Sequence, residues 1–193
     1  MTVVEKRKLS PADYLAVERK AETKSEYLDG EVFSMAGGTH RHGLLATNLA
    51  GELRSALKGG PCRVLNSDMR LSVQATGLYA YPDISVACGK LEFEDPKEDT
   101  LLNPQVLVEV LSESTAAWDR GQKLWHYRHL ESLADYVLVS QDAWLVEHYA
   151  RQSDGSWLLQ SYDKRDDVLA LDSIECRVPL TEIFADTEIQ PRT

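Results

Sequence analysis

Glu109 is a lone carboxylate inside an apolar, β-rich run, Gln105-Val106-Leu107-Val108-Glu109-Val110-Leu111. Upstream, Tyr81-Pro82-Asp83-Ile84-Ser85-Val86 sets another acid beside an apolar strand. Downstream, Lys123 falls in a helical segment that begins a few residues after the first run. An ionised carboxylate is costly to bury unless it is paired or bound to metal. Glu109 therefore needs a partner, whether a cation, Lys123, or an arginine such as Arg70 or Arg120. Two acids on neighbouring buried strands with a lysine close by would make a metal-dependent phosphodiesterase site. Hard oxygen donors with few histidines nearby suit Mg²⁺ or Mn²⁺ rather than Zn²⁺. In that reading Asp83 and Glu109 bind the metal, which lowers the pKa of a bound water. Lys123 stabilises charge developing on the phosphate or positions the water. Asp119 and Tyr127 lie four residues either side of Lys123 and share its helix face, so Asp119 could hold the lysine in place.

Each of these residues also has a plainer reading. Glu109 could sit in a structural ion pair, since perturbed acids also occur in such networks. Asp83 could be a strand-end acid after Pro82, and Lys123 a solvated helix lysine. The pairs His40/His42 and His126/His129 invite zinc, but no Cys-x-x-Cys or His-Glu-x-x-His accompanies them. Trp118, Trp125 and Tyr127 could stack on bases, although aromatics on a short helix usually belong to a core.

The elements that must position these residues follow from pattern. Ser10-Pro11-Ala12-Asp13 reads as a helix start, with Ser10 as cap and Pro11 in the first turn, and the helix is expected to reach about Thr23. Asp29-Gly30 between 25–28 and 31–35 is a hairpin signal. Leu45, Leu49, Leu53 and Leu57 form a helical stripe from His42 onward, stopped by Gly59-Gly60-Pro61. Strands are expected over 62–66, 69–73 and 79–87, then an acidic loop over 89–103. The Glu109 strand spans 105–111, a helix 116–130, and a buried strand 135–140. A meander over 143–150 and 156–162 and a short helix over 179–184 complete the chain. This order favours an α/β (α+β) fold with a mixed central sheet flanked by helices.

Composition sets outer bounds. At 193 residues the chain is expected to be one domain, 1–193. Its parts are a helix and hairpin at about 10–36, a core at about 40–140 and a meander at about 143–184. An apolar fraction of 43% and a charged fraction of 27% are ordinary for a globular protein. No apolar run approaches the ~18 residues that span a bilayer, and residues 1–8 are charged and lack a leader's apolar segment. Cys62, Cys88 and Cys176 are odd in number and widely spaced, which suggests reduced thiols in a cytoplasmic protein. A net charge of −10 argues against a generic DNA-coating protein. It does not exclude a nuclease, because an acidic metal site carries negative charge that a bound cation offsets.

An ordered set of short motifs carries a resemblance. Tyr27-Leu28-Asp29-Gly30-Glu31, Pro82-Asp83-Ile84, Val108-Glu109-Val110-Leu111-Ser112, Ser114-Thr115, and Asp119 with Lys123 and Tyr127 together resemble the Uma-two family. These are proposed endonucleases of the restriction-endonuclease-like PD-(D/E)XK superfamily, and the likeness runs from about Ser25 to Phe184. It implies a restriction-endonuclease-like core with Asp83 and Glu109 on neighbouring strands and Mg²⁺ between them. The superfamily's usual lysine two residues after the acid is replaced here by Leu111, and Lys123 matches a lysine moved to the following helix. Glu26 and His42 also fall at positions that resemble the family's patterns, as an accessory metal ligand and a phosphate or water contact.

The function implied is a Mg²⁺-dependent endonuclease acting on nucleic acid, taken as DNA. Arg54, Lys58, Arg63, Arg70, Arg120 and Arg128 would then form a phosphate-binding face. The alternative is a catalytically inactive interaction protein that kept the fold. The edge strand expected over 157–162 makes a homodimer plausible.

Overall fold

The computed structural model describes residues 8–35 and 37–190. All but the last residue of the charged stretch 1–8, read above as lacking a leader's apolar segment, lies outside them.

Helix α1 (Pro11–Glu18) starts as expected, with the Ser10 hydroxyl accepting from the Asp13 amide. It stops before Thr23, because Glu18 Oε1 accepts from the Ser25 amide and turns the chain into the next strand. Strands β1 (Ser25–Leu28) and β2 (Glu31–Ser34) form the expected hairpin. Its two turn residues take positive φ, 47° at Asp29 and 86° at Gly30, the tight hairpin geometry that Asp-Gly accommodates. Helix α2 (His40–Ala56) is capped by Thr39 and buries Leu45, Leu49 and Leu53.

Strands β3 (Cys62–Asn66), β4 (Arg70–Val73), β5 (Leu78–Ala80) and β6 (Ile84–Cys88) follow. The single strand expected over 79–87 is in fact two, which belong to different sheets. The break falls at Tyr81-Pro82-Asp83, where proline has no N–H for a ladder. The acidic loop contains a short strand, β7 (Thr100–Leu101), which pairs in parallel with β4.

Strand β8 (Val106–Leu111) is buried at every position. The helix expected over 116–130 ends at Tyr127 and is not uniform. It runs as α3 (Ala116–Trp118), a π-helical turn (Asp119–Lys123) and α4 (Leu124–Tyr127). Strands β9 (Asp135–Ser140), β10 (Val146–Arg151) and β11 (Trp157–Tyr162) give the expected meander. The sequence reading missed the hairpin β12 (Val168–Leu171) and β13 (Cys176–Pro179), which precedes α5 (Leu180–Ile183).

A six-stranded sheet, ordered β11-β10-β9-β8-β6-β3, is the centre of this mixed α/β fold. Its β8–β9 pair is parallel and its other pairs antiparallel. Strand alternation sends Val106, Val108 and Val110 to one face, where they pack with the leucines of α2 and with β12, β13 and α5. Leu107 and Leu111 go to the other face. There Tyr127, Leu130 and the second sheet, β2-β1-β5-β4-β7, cover them.

The reduced-thiol expectation is corrected. Cys62 and Cys88 are cross-strand partners on β3 and β6, and they form a disulfide, while Cys176 is buried and free. Sequence spacing hid the pairing because an antiparallel register brings residues 26 apart face to face. No helix among the described residues is long and apolar enough to cross a membrane.

Candidate active site

Glu109 belongs to the β8 face that carries Leu107 and Leu111, and its side chain points under the broken helix. Leu111 packs there among Leu138, Leu107 and Tyr127, so the position two residues after the acid is apolar core. The ammonium comes from above instead. The π-helical turn carries a buried Lys123 whose Nζ lies 3.0 Å from Glu109 Oε1, 3.0 Å from Glu26 Oε1 and 3.6 Å from Asp119 Oδ1. Tyr127, one turn on, donates its hydroxyl to Glu109 Oε1 at 2.8 Å. Tyr136, from β9, donates to the Asp119 carbonyl at 3.2 Å and holds the start of the wide turn. Such single π turns recur at functional sites.

Asp83 arrives from the neighbouring strand. Ile84 pairs with Val108, so the next step of that register sets Asp83 opposite Glu109. The ladder ends there, and Asp83 Oδ2 accepts the Val110 amide at 2.7 Å in place of a backbone carbonyl. His42, in the first turn of α2, brings its Nε2 to 3.3 Å from the same oxygen. Pro82 thus does more than end a strand, since the break turns Asp83 toward β8.

The electrostatics are lopsided. Glu26, Asp83, Glu109 and Asp119 face Lys123 and His42. Burial first, and then the charges of Asp83, Asp119 and Glu26, hold the Glu109 pKa well above the ordinary carboxylate range, against the pull of Lys123. Burial also raises Asp119, again opposed by Lys123. Burial alone would lower Lys123, but Glu109, Glu26 and Asp119 together raise it, so it stays charged. The hydrogen bond to Asp83 raises His42 despite burial. Glu26 Oε1 and Asp119 Oδ1 are buried without a hydrogen-bond partner. Each lies near Lys123, so these are ion pairs that lack hydrogen-bond direction.

Among the described residues no three His, Cys, Asp or Glu side chains already converge as a metal cage. The donor set nonetheless suits a hard divalent ion. It is all oxygen, it carries more negative charge than its neighbours offset, and it leaves two buried carboxylate oxygens without hydrogen bonds. Neither histidine pair considered for zinc belongs to a group of three potential ligands among the described residues, although His42 meets Asp83. His126 packs instead between Trp118 and Trp125.

The site opens on a cleft of about 2030 Å³ walled by the β1–β2 hairpin, the start of α2 and the 112–118 segment. Asp83, Glu109 and Lys123 all line it, together with Glu26, His42 and Asp119. Of the partners open to Glu109 the structure shows Lys123, and the phosphate-face expectation is corrected. Arginine does not partner Glu109: Arg70 is buried against Thr100, Tyr81 and Asp99, and Arg120 pairs with Glu147. Nor do the six basic residues proposed as a phosphate face line the cleft. Tyr127 is fully buried, Trp125 is exposed away from the cleft, and Trp118 alone of those three aromatics lines it. A buried polar cluster lay outside the sequence reading: His148 Nε2 is 2.6 Å from Asp135 Oδ1, and the Ser173 hydroxyl donates to the same carboxylate. No spacing rule joins these three residues, because they meet across β9, β10 and the turn before β13.

Residues 11–181 match the family described as "Uma2: Putative restriction endonuclease". The chain belongs to the Uma2 family. Two uncharacterized proteins of Synechocystis sp. (strain ATCC 27184 / PCC 6803 / Kazusa) resemble it in sequence. One, slr1290, is 38% identical over 163 residues, covering 82% of this chain and 83% of that protein. The other, sll1609, is 36% identical over 159 residues, covering 82% and 90%. In structure the chain resembles a crystal structure described as "a putative nuclease belonging to DUF820" from Anabaena variabilis ATCC 29413. The TM-score is 0.76 at 17% identity, over 92% of this chain and 98% of that one. At that identity the likeness speaks for the fold, and it is a likeness that a Uma2 protein with a restriction-endonuclease-like core is expected to show.

Proposed function

We propose that this Uma2 protein is a Mg²⁺-dependent endonuclease that hydrolyses phosphodiester bonds in DNA, with Mn²⁺ able to replace Mg²⁺. The observation that carries this reading is the convergence of Glu109, Glu26 and Asp119 around one buried lysine, with Asp83 across from Glu109 on the next strand, at the base of an open cleft. Asp83 and Glu109 would hold the metal, with Glu26 and Asp119 as accessory oxygens. A bound divalent ion supplies Lewis-acid polarisation of the phosphate and a more acidic water. Lys123 offers a fixed positive charge where the phosphate would gain negative charge, in a setting dry enough for that charge to count. Asp119 and Tyr127 keep the lysine and Glu109 from rotating away. His42, held by Asp83, is placed to contact a phosphate oxygen or a water.

The test is a cleavage assay on DNA and RNA across Mg²⁺ and Mn²⁺. Asp83→Asn and Glu109→Gln are expected to abolish cleavage with circular dichroism unchanged. Cleavage by both variants at the parent rate overturns the assignment.

A second reading, an inactive interaction protein, is favoured by one feature: the Lys123 ammonium already sits among the carboxylates a metal would need. Calorimetry separates the two, since Mg²⁺ and Mn²⁺ both failing to bind the parent selects the inactive form. Homodimerisation through β11, whose Leu158 and Leu159 are exposed at the sheet edge, belongs to the proposal and is tested by light scattering of the parent against Leu159→Lys. So does a cytoplasmic location, against which the Cys62–Cys88 bond weighs.

A further inference from the structure

The β1–β2 hairpin presents an aromatic ring to water directly beside the ionic cluster. Phe33 is the cross-strand partner of Glu26, and Glu26 Oε1 lies 3.0 Å from Lys123 Nζ. Side chains directly opposed on antiparallel strands share a face, with Cβ atoms about 5 Å apart. Phe33 therefore stands one side-chain spacing from the cluster and lines the same cleft. It is nevertheless 50% exposed. Leu28, on the same hairpin face, packs against the core instead. A half-exposed phenylalanine adds little to folding, and its place beside the cluster leaves the ring available to a ligand with an apolar face.

The cleft's charge says which kind. Duplex DNA is bound chiefly through many phosphate contacts to Lys and Arg. Lys24 lines the cleft but is engaged by Asp68 at 2.5 Å, and Arg41 donates to the Gln141 carbonyl. Asp142, Asp186 and Glu188 line the same cleft with negative charge. Acidic residues thus outnumber the cleft's cations, Lys24, Arg41 and Lys123, and part of the affinity for a nucleic acid has to come from another source. A base stacked on an aromatic ring adds affinity that does not depend on a cation, and a base offers its whole π-face only when unpaired and unstacked. The cleft, about 2030 Å³, is larger than the roughly 300–1,000 Å³ typical of a small-molecule pocket and admits a strand.

Resting on the nuclease reading above, we propose that Phe33 is a base-stacking residue. The substrate enters the cleft as an unpaired strand, with the base next to the scissile phosphate on the Phe33 ring. The test compares cleavage of one sequence as a single strand and as a blunt duplex by the parent, Phe33→Ala and Phe33→Trp. The parent is expected to prefer the single strand. Phe33→Ala should raise KM for it by roughly five- to a hundredfold, the range of one lost stacking contact, with kcat little changed. Phe33→Trp should restore KM. Duplex preference, or a Phe33→Ala enzyme equal to the parent on the single strand, overturns the inference while leaving the nuclease reading intact. If the parent cleaves nothing, the nuclease reading fails, and fluorescence anisotropy of a labelled single strand decides the stacking separately. Weaker binding by Phe33→Ala then supports it, and equal binding overturns it.

Discussion

Glu109 lies between two donors of different kinds, the Tyr127 hydroxyl at 2.8 Å and the Lys123 ammonium at 3.0 Å. Its charge is nonetheless disfavoured by burial and by three neighbouring acids. Two predictions follow from that balance. Protons compete with a metal ion for carboxyls whose pKa values are raised, so Mg²⁺ affinity should increase with pH and fall away as Glu109 and Asp119 protonate on acidification. Calorimetry between about pH 5 and 8 checks the sign, and a flat profile removes these residues from the metal site. Replacing Lys123 by Met should destabilise the metal-free protein by about 3–5 kcal/mol, because Glu109 and Asp119 are left buried without a cation. Added Mg²⁺ should recover part of the lost melting temperature. Glu109→Gln should be milder, since Lys123 keeps Glu26 and Asp119 as partners.

Among the elements, the wide turn at Asp119–Lys123 decides where the ammonium points. Deleting the exposed Gln122 should rewind it to an ordinary α-turn, swing the lysine off Glu109 and abolish cleavage while the far-ultraviolet spectrum stays native. Unaltered cleavage by the deletion variant would show that the turn does not position Lys123. A different device holds α1 and the loop before β7 to the rest. Arg19 pairs with Asp95 and Asp99, and Arg70 reaches Asp99 at 3.1 Å. The hydrogen bond from Arg19 drives the Asp99 pKa down, with further help from Thr100 and Arg70 against partial burial. An acid depressed in the folded state contributes above its unfolded pKa and loses that contribution as pH falls. Asp99 is a third exposed, so the discounted effect is about 1 kcal/mol. Asp99→Asn should therefore unfold more easily than the parent at neutral pH in urea, and the gap should start to narrow only below about pH 4 and close in still more acidic solution, because Arg19 keeps the folded-state carboxylate ionised well below the usual range.

At the scale of the whole molecule, the disulfide ties β3 at the sheet edge to β6. Closing a loop of this length restricts the unfolded chain by roughly 3 kcal/mol. Denatured protein should show one reactive thiol without reductant and three with it, and reduction should lower the melting temperature. Three reactive thiols in unreduced protein would show that the bond is not formed. Local rules made the Asp29-Gly30 hairpin, the α2 stripe and the Glu109 strand legible, since turn chemistry and hydrophobic period act within a few residues. The same rules marked Glu109, and Asp83 beside its apolar strand, because a charge amid apolar neighbours is visible in one dimension, whereas Lys123, with polar residues before it, was marked by its place after the Glu109 strand and by the family resemblance. They failed where partners lie far apart in the chain. The register of β3 against β6 made the disulfide. Asp99 took Arg70 away from Glu109. The fold of the hairpin over the broken helix brought Glu26, and with it Phe33, to the lysine. Sequence by itself determined which residues could not be buried alone. Tertiary structure decided which of them meet, because pairing of charges across sheets depends on register and packing that no local pattern encodes.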